Sequence, residues 1–335
     1  MLEFNKRYYE QLVKAYGYDF CKDIHGTLEN FSQDDMQKWL CAFNLSDSIL
    51  NAINPENTLV LMGIGVNAEP HIGTISQILR ALYFQSCGYN VEIILGDLDS
   101  YNARAFQMDK LQMNVEKYKS FIKRLGFDDS NGIIRTQSTS IDVMNTAFII
   151  AQQVNDSDFM EVEEDLSEYY KEQNIYEGIT FPVKLSILLM FADFIHHGIY
   201  DGYEHILVLS GVDEHTYVPK AEEIKDRLGL KFTISGLFSD IIRGFNNKPK
   251  MSKSIPNSSI WPSMTYPEIE NMLLYADNDY ESYEDSIVYQ IMTSTFIYSS
   301  SQLEILSQHC NDKGKEWIAD KKKFAISLYR ICKAW

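Results

Sequence analysis

A histidine and several glycines follow the first long apolar stretch of the chain, and their types suit phosphate chemistry. Residues 58–65 read TLVLMGIG, which is typical of a buried strand that ends in a turn, and His71-Ile72-Gly73-Thr74 begins the helical pattern after it. A helix N-terminus presents free N–H groups and the positive end of its dipole, so it attracts phosphate. Gly73 would allow a ribose or base close to the backbone, and His71 would add an imidazole donor. These residues predict a nucleotide site, although an ordinary turn would also explain them.

Two lysines stand three residues apart much later, in Lys250-Met251-Ser252-Lys253-Ser254. They lie in a polar, Pro- and Asn-rich stretch, which predicts a loop. When a nucleophile attacks the α-phosphorus of a nucleotide, negative charge builds on the leaving pyrophosphate. Ammonium groups placed there stabilise the transition state more than the ground state. The pair predicts a polyphosphate site, whereas a solvated basic loop is the plainer interpretation of the lysines alone.

The segments between these two sets alternate between strand and helix patterns. Apolar runs at 58–65, 91–97 and 205–211 predict buried strands, and an extended segment follows at 231–238. Helical periodicity follows residue 71 and recurs over 109–125 and 221–229, and 184–197 is apolar enough for a buried helix. This order predicts an α/β fold with a doubly wound parallel sheet. Residues 1–57 and the chain from 267 onward are predicted to be helical.

Composition restricts the class of protein. The 335 residues carry a net charge of −17 with a pI near 4.8, and residues 155–177 contain nine acidic residues against one basic residue, Lys171. Nucleic-acid binding depends on lysine and arginine, so this charge argues against an extended RNA surface. The five cysteines are scattered without a CxxC pair, which suits a reducing compartment and predicts no metal site. We find no secretory signal and no apolar run of about 18 residues, so we expect a cytoplasmic protein without a membrane segment.

The two sets together resemble the signatures of the class I aminoacyl-tRNA synthetases. His71-Ile72-Gly73-Thr74 is similar to the HIGH motif, and residues 250–254 match KMSKS unaltered. The chain looks most like the tryptophanyl/tyrosyl branch, and closest to the tryptophanyl enzymes. Residues 188–194 (LLMFADF) resemble the buried helix that faces the indole, and 210–214 (SGVDE) resemble the strand end beside the ribose. The resemblance covers roughly residues 58 to 335.

The resemblance implies a role for each matching residue. ATP, with Mg²⁺, would be the nucleotide, and an aromatic amino acid, with tryptophan as the first candidate, would be the substrate. The implied catalytic residues are His71, Thr74, Lys250 and Lys253, the implied ATP-binding residues are Gly63, Gly65, Gly73, Asp213, Met251, Ser252 and Ser254, and the implied amino-acid pocket contains Met190, Asp193 and Glu214. A homodimer is also implied. The expected parts are an N-terminal helical extension (1–57), a Rossmann-like catalytic domain (58–265) and a small C-terminal helical domain (266–335).

Several positions depart from the family pattern. Val66-Asn67-Ala68 replaces Pro-Ser-Gly in the first turn, and Glu214 replaces the glutamine after the strand. The buried helix has Ser186 and Met190 where the tyrosyl pattern has tyrosine and glutamine, which disfavours tyrosine as the substrate. For Asp193, an indole donor and an internal partner such as His196 are about equally expected, because a buried carboxylate needs a donor.

Three functions fit these observations. The first is a tRNA synthetase that activates an amino acid and esterifies tRNA, in which basic residues of 313–333 would form a small RNA-facing patch. The second is a synthetase paralogue that passes the activated amino acid to a small amine or thiol, which the acidic composition favours. The third is a binding module without catalysis, against which the intact lysine pair argues. The sequence leaves the amino acid, the acceptor and the oligomeric state open.

Overall fold

The computed structural model describes residues 6–21, 28–31, 42–43, 50–104, 106–162, 171–172, 178–276 and 280–335. Its strands are β1 (Asp19–Phe20), β2 (Ala42–Phe43), β3 (Thr58–Gly65), β4 (Asn90–Gly96), β5 (Gly132–Thr136), β6 (His205–Gly211) and β7 (Thr233–Ser239). Its helices begin with α1 (Lys6–Tyr16), α2 (Ile72–Ser86), α3 (Asp97–Arg104), α4 (Met108–Arg124), α5 (Ile141–Ile150), α6 (Asp156–Met160), α7 (Phe181–Tyr200) and α8 (Tyr217–Arg227). The last four are α9 (Tyr266–Tyr275), α10 (Ile287–Thr295), α11 (Ser300–Asp312) and α12 (Lys315–Cys332).

The strands form one sheet in the order β1-β2-β7-β6-β3-β4-β5. The pairs from β7 to β5 are all parallel, which confirms the predicted α/β class. Chain order reverses between β3 and β6, because β4 and β5 lie on one side of β3 while β6 and β7 lie on the other. In such sheets ligands bind outside the carboxyl ends of the strands at this reversal. The fold therefore points to the ends of β3 and β6.

Helices cover both faces of the sheet, which explains why the parallel strands are almost continuously apolar. In β3, Val60 and Met62 face the cluster that holds α2, α4 and the C-terminal helices, while Leu59 and Leu61 face the cluster that holds α5, α7 and α8. Helix α4 ends before Gly126, whose φ of 110° is a conformation that glycine adopts readily after a helix.

The N-terminal part differs from the prediction of an all-helical extension. Helix α1 is present, but β1 and β2 add two short antiparallel strands to the sheet edge beside β7. Two-residue strands have no periodicity of their own, so they take their conformation from the edge that they pair with. The segment also docks through side chains: the Tyr18 hydroxyl lies 3.0 Å from His215 Nδ1, and the Tyr9 hydroxyl accepts from the Ile241 amide at 3.0 Å.

The described residues after 265 are helical, as predicted, and they share the core of the sheet domain. Helix α10 packs on α2, where Ser76 Oγ and Thr295 Oγ1 lie 3.0 Å apart. The predicted basic patch needs a correction, because Lys321 is buried over the Trp317 ring and Lys313 donates to the Tyr280 carbonyl at 2.6 Å. The remaining basic side chains of the patch are exposed: Lys315, Lys322, Lys323, Arg330 and Lys333. The patch is therefore smaller than the sequence suggests.

Helix α7 is long and apolar enough to cross a membrane by length and composition alone, contrary to the expectation from apolar runs. More than half of its apolar window, 56%, is buried inside the protein, as in the core helix of a folded domain. This burial agrees with the predicted buried helix at 184–197. Most of the acidic stretch 155–177, at 163–170 and 173–177, lies outside the described residues.

Candidate active site

A cavity of about 380 Å³ opens at the carboxyl ends of β3 and β6, where the chain order reverses. Its walls come from the end of β3, the start of α2, the end of β6, one face of α7 and the loop 250–254. The cavity brings together all the residues that the sequence singles out: His71, Thr74, Lys250, Lys253, Gly63, Gly65, Gly73, Asp213, Met251, Ser252, Ser254, Met190, Asp193 and Glu214. Elements about 175 residues apart therefore meet at one site.

His71 is the N-cap residue of α2, and its ring orientation is fixed by the backbone. Nδ1 accepts from the amide groups of Gly73, at 3.1 Å, and Thr74, at 3.4 Å. Burial lowers the pKa of His71 to about 3, and the positive charges of Lys253 and Lys250 act in the same direction. The imidazole is therefore neutral with its proton on Nε2, the nitrogen that can donate to a ligand oxygen.

Two glycines shape the wall beside His71. A Cβ on Gly63 would meet no atom within 4 Å, so this strand position presents bare backbone to open space. A Cβ on Gly73 would lie 2.9 Å from Cε1 and 3.0 Å from Nδ1 of His71. Gly63 thus leaves room for a flat group against the strand. Gly73 is needed because the His71 ring folds back over it, which differs from the predicted close approach of a ligand at this position.

The Gly73 contact gives a testable expectation. For the reaction that the resemblance implies, Gly73→Ala should displace the His71 ring and lower the rate roughly 10- to 100-fold, since small misplacements at a reacting centre cost about this much. Stability should change by less than about 1 kcal/mol, because the gain in helix propensity offsets the weakened cap. Denaturant unfolding and amino-acid-dependent exchange of pyrophosphate into ATP would check the two effects. Gly63→Ala is the companion variant: it should fold normally and raise the KM for ATP. Full activity of Gly73→Ala would contradict the role of Gly73 in positioning the His71 ring.

The two lysines of the loop reach across the cavity to opposite walls. Lys250 Nζ pairs with the Asp213 carboxylate, and Lys253 Nζ donates to the Gly65 carbonyl. Lys253 also lies 5.1 Å from the centroid of the Tyr118 ring, a cation–π distance. Burial lowers the pKa of Lys253 to about 7, although the nearby carboxylates of Asp99 and Glu214 oppose this shift. The loop thus holds two cationic groups over the ends of β3 and β6.

The loop keeps its shape through one buried hydroxyl. Ser258 Oγ accepts from the Ser252 amide and donates to the Ser252 carbonyl, both at 3.1 Å. The Met251 amide donates to the Ile242 carbonyl at 3.1 Å, and the Met251 side chain is buried. Nearby turns use Asn246, Asn247 and Asn257 at positive φ, which asparagine tolerates better than most residues. The polar, Asn-rich sequence thus forms a defined turn around the lysines.

Tyr118 links the loop to two other parts of the chain. Its hydroxyl donates to the Ala68 carbonyl at 3.0 Å, in the turn before His71. Its ring lies against Lys253 and meets the Trp335 ring edge-on at a centroid distance of 4.8 Å. The turn between β3 and α2, in which Ala68 replaces the glycine of the family pattern, is therefore stabilised by a hydrogen bond from a tyrosine in α4. Sequence reasoning missed this residue, because Tyr118 is one apolar position of a regular amphipathic helix.

One face of α7 forms part of the cavity wall. Val183, Ile187, Met190 and Phe194 follow each other at helical spacing on this face. The buried Ser186 lines the same wall, and its hydroxyl has no hydrogen-bond partner among the described residues. This wall can enclose an apolar or aromatic side chain and offers one unused hydroxyl.

Asp193 has internal partners, and they are not those expected. Its Oδ1 accepts from Arg135 at 2.6 Å and its Oδ2 accepts from Gln137 at 2.9 Å. Burial raises the pKa of Asp193, and the Arg135 charge opposes that shift. Arg135 also pairs with the buried Glu92 carboxylate. His196, the partner considered from the sequence, instead lies 2.8 Å from Thr146 Oγ1 through Nδ1.

Asp213 and Glu214 lie in a short turn directly after β6, and both line the cavity. Gly211 precedes them because a Cβ there would lie 2.5 Å from Asp213 Oδ1. Sequence reasoning overlooked several other polar lining residues: Gln77, Arg80, Asp99, Ser100, Gln137, Ser239 and Asp240. The signal that could have found some of them is position, since Ser239 ends β7 and Asp99 and Ser100 lie in the first turn of α3, the helix that begins directly after β4.

The comparisons with known proteins agree with this geometry. The family model "tRNA synthetases class I (W and Y)" matches residues 54–328. Tryptophan–tRNA ligase of Aeropyrum pernix is 22% identical over 222 residues, which is 64% of this chain and 56% of the relative. Tryptophan–tRNA ligase 1 of Halobacterium salinarum is 27% identical over 106 residues, 32% of this chain and 21% of the relative. The aligned stretches therefore cover less than two thirds of these relatives.

Solved structures share the fold over most of the chain. Tryptophanyl-tRNA synthetase from Aeropyrum pernix superposes with a TM-score of 0.77 at 17% identity, over 98% of this chain and 92% of that chain. Tyrosyl-tRNA synthetase from Archaeoglobus fulgidus, solved with L-tyrosine, gives a TM-score of 0.65 at 17% identity, over 83% and 89%. From the family match over most of its length, the chain belongs to the class I tRNA synthetases of the W and Y type, a family of ligases.

Proposed function

We propose that this chain activates an aromatic amino acid with ATP to an aminoacyl-adenylate and transfers the aminoacyl group to tRNA, with tryptophan as the first candidate substrate. The observation that carries the proposal is the convergence of His71, Lys250 and Lys253 on one cavity at the ends of β3 and β6. A neutral imidazole donor and two ammonium groups suit the phosphates of ATP. Gly63 leaves bare strand backbone where a ribose or base would fit.

The reaction assigns separate tasks to these groups. A carboxylate oxygen of the amino acid attacks the α-phosphorus, and the bond from that phosphorus to the bridging oxygen of pyrophosphate breaks. His71 Nε2 and Thr74 would bind phosphate oxygens, while Lys250 and Lys253 would stabilise the charge that builds on pyrophosphate. Before ATP binds, the lysines rest on Asp213 and Gly65. Mg²⁺ would enter with ATP and neutralise phosphate charge, and carboxylates that line the cavity would bind the ion.

The face of α7 supports an aromatic substrate. Ile187, Met190 and Phe194 would pack against the ring, and the unused Ser186 hydroxyl would accept an indole N–H. Asp193, whose oxygens accept from Arg135 and Gln137, would shape the pocket through those partners. The proposed domain boundaries, 1–57, 58–265 and 266–335, place this pocket in the catalytic part.

The second candidate is a paralogue that transfers the activated amino acid to a small amine or thiol. The net charge of −17 and the small exposed basic patch on α12 favour it. Aminoacylation of a total tRNA pool, followed by acid precipitation of labelled amino acid, separates the two functions. Labelled tRNA supports the first candidate. Adenylate formation without labelled tRNA, together with turnover on added amines or thiols, supports the second.

We also propose that the protein is a cytoplasmic homodimer. Helix α5 presents Ile141 and Phe148 with exposed fractions of 67% and 82%, and Phe181 at the start of α7 is 72% exposed. Exposed apolar groups of this size are typical of contact surfaces between subunits. Light scattering would measure the molar mass of the wild type and of Phe148→Asp. We expect the wild type to have the mass of a dimer and the variant to have the mass of a monomer.

The lowered pKa of Lys253 predicts a pH dependence. Because burial lowers this pKa to about 7, the free enzyme loses the ammonium charge as pH rises through about 7. The kcat/KM for ATP should therefore fall above that pH, since kcat/KM reports groups of the free enzyme. In Lys253→Arg the guanidinium stays charged, so this fall should disappear. A wild-type profile that is flat between roughly pH 6 and 9 would contradict the prediction.

A further inference from the structure

A cluster of metal-ligating side chains lies at the C-terminal end of α7, outside the residues that line the cavity. His196, His197 and Asp201 each contribute one ligand atom, and these atoms lie within 4.8 Å of one another. Both histidines are buried, whereas Asp201 is about half exposed. Asp142 of α5 approaches the same cluster, with its Oδ2 3.6 Å from His196 Nε2.

One nitrogen of each imidazole lies close to an oxygen atom of another element. His197 Nε2 lies 2.5 Å from the buried Glu92 carboxylate, and His196 Nδ1 lies 2.8 Å from Thr146 Oγ1. The other nitrogens, His197 Nδ1 and His196 Nε2, face Asp201 and Asp142. In protein metal sites the non-ligating nitrogen of a histidine is usually held in this way, which fixes the ring and its tautomer.

The charge around the cluster also favours a cation. Four carboxylates lie in or directly beneath it, from Glu92, Asp142, Asp193 and Asp201, and Arg135 neutralises only part of their charge. A proton on His197 would add one positive charge. Two of the carboxylates, those of Glu92 and Asp193, are almost fully buried and both contact Arg135, so Asp142 and Asp201 are the acidic groups that remain for a cation.

A second cluster of acidic residues has its negative charge neutralised by lysine and arginine side chains. Asp158, Glu161 and Glu223 also have ligand atoms within 4.8 Å of one another. Lys220 Nζ lies 2.6 Å from both glutamates, and Arg227 holds Asp158 from two nitrogens, at 2.6 and 2.9 Å. Protein cations therefore occupy the centre of this group, which makes it a matched control rather than a site.

We propose that His196, His197, Asp201 and Asp142 bind one zinc ion. Two imidazoles with two carboxylates suit Zn²⁺ in a four-coordinate arrangement, with small movements of the exposed aspartates closing the ligand set. The ion connects α5 to the end of α7. Through Glu92 and Arg135 it also connects to Asp193, which lines the cavity. Zinc therefore stabilises the fold here, and its binding can be measured without the proposed reaction.

The test is zinc binding by the full chain after removal of metal with a chelator, in the absence of ATP. Isothermal titration with Zn²⁺ should show one site per chain, and the thermal midpoint should rise on adding Zn²⁺. Asp142→Asn/Asp201→Asn should weaken binding by at least about 100-fold and abolish the rise in midpoint. Thr146→Val, which frees the His196 ring, should weaken binding roughly 10- to 100-fold.

The control variant is Glu161→Gln/Glu223→Gln, which should bind Zn²⁺ as the wild type does. The proposal is overturned if the wild type binds no zinc. It is also overturned if the aspartate double variant binds as tightly as the wild type, or if the control variant is the one that loses binding. None of these results depends on aminoacyl-adenylate formation, so failure of the zinc site and failure of the proposed function are distinguishable.

Discussion

Changing Lys250 and Lys253 together to alanine should reduce amino-acid-dependent ATP–pyrophosphate exchange by at least about 10³-fold. Removal of one group that stabilises developing charge typically costs roughly 10²- to 10³-fold, and these lysines would share one leaving pyrophosphate. Each single variant should therefore lose about 10²-fold or more, with a smaller change in the KM for the amino acid. Steady-state exchange with ATP and each amino acid measures both effects.

The matched control for the lysine variants is Lys248→Ala, since Lys248 lies in the same loop but does not line the cavity. Its exchange rate should stay within about twofold of the wild type. Unfolding curves would verify that the double variant is folded, because Asp213 loses its Lys250 partner. A folded double variant with activity close to wild type would contradict the assignment and favour a binding module.

Arg135→Met should destabilise the protein by roughly 3–5 kcal/mol, which is the usual cost of leaving buried charges without their partner. The guanidinium contacts Glu92 and Asp193, whose side chains are only 2% and 3% exposed. Arg124→Met is the control: Arg124 is exposed and donates to Ser120 and to the Ala334 carbonyl, so its loss should cost less than about 1 kcal/mol. Urea unfolding of both variants and the wild type measures the difference.

The Arg135 variant also has a predicted pH dependence. Burial raises the pKa of Asp193 already in the wild type, and Arg135 is one of the groups that hold the pKa of Glu92 below its usual range. Without the guanidinium, the pKa of Asp193 should rise further above that of the unfolded chain, while His197 continues to lower the pKa of Glu92. The folded state then binds more protons, so the stability of the variant falls as pH rises and recovers toward acidic pH. A deficit equal to that of Arg124→Met, or one independent of pH, would contradict this account.

The central sheet could be predicted because its strands carry strong local signals. Residues 58–65 are almost continuously apolar and end in glycines, and β3 has these same bounds. The loop 250–254 and the turn at His71 were found by their residue types, and the parallel order of the sheet brings them together. When the order of the strands in the sheet is known, residues at strand ends and helix starts can therefore be predicted to form one site.

Other features have no local signal. Strand β5 has five residues and lies at the edge of the sheet, and its Ile133 is exposed, so its pattern is too short and too mixed to identify. The partners of Asp193 are 58 and 56 residues away in sequence, at Arg135 and Gln137. A carboxylate in an apolar helix predicts that a hydrogen-bond donor lies nearby. Which residue supplies that donor depends on which strand lies beside α7. The cation–π contact between Tyr118 and Lys253 joins segments that lie still farther apart in sequence.

Amino-acid-dependent exchange of pyrophosphate into ATP, measured without tRNA for each of the twenty amino acids, is the decisive measurement for adenylate formation. We expect exchange with an aromatic amino acid, tryptophan first, and its loss in the Lys250/Lys253 double variant. This result is expected whether the later acceptor is tRNA or a small molecule. Absence of exchange with all twenty amino acids, from a folded protein that binds ATP, would contradict activation of a standard amino acid at this site.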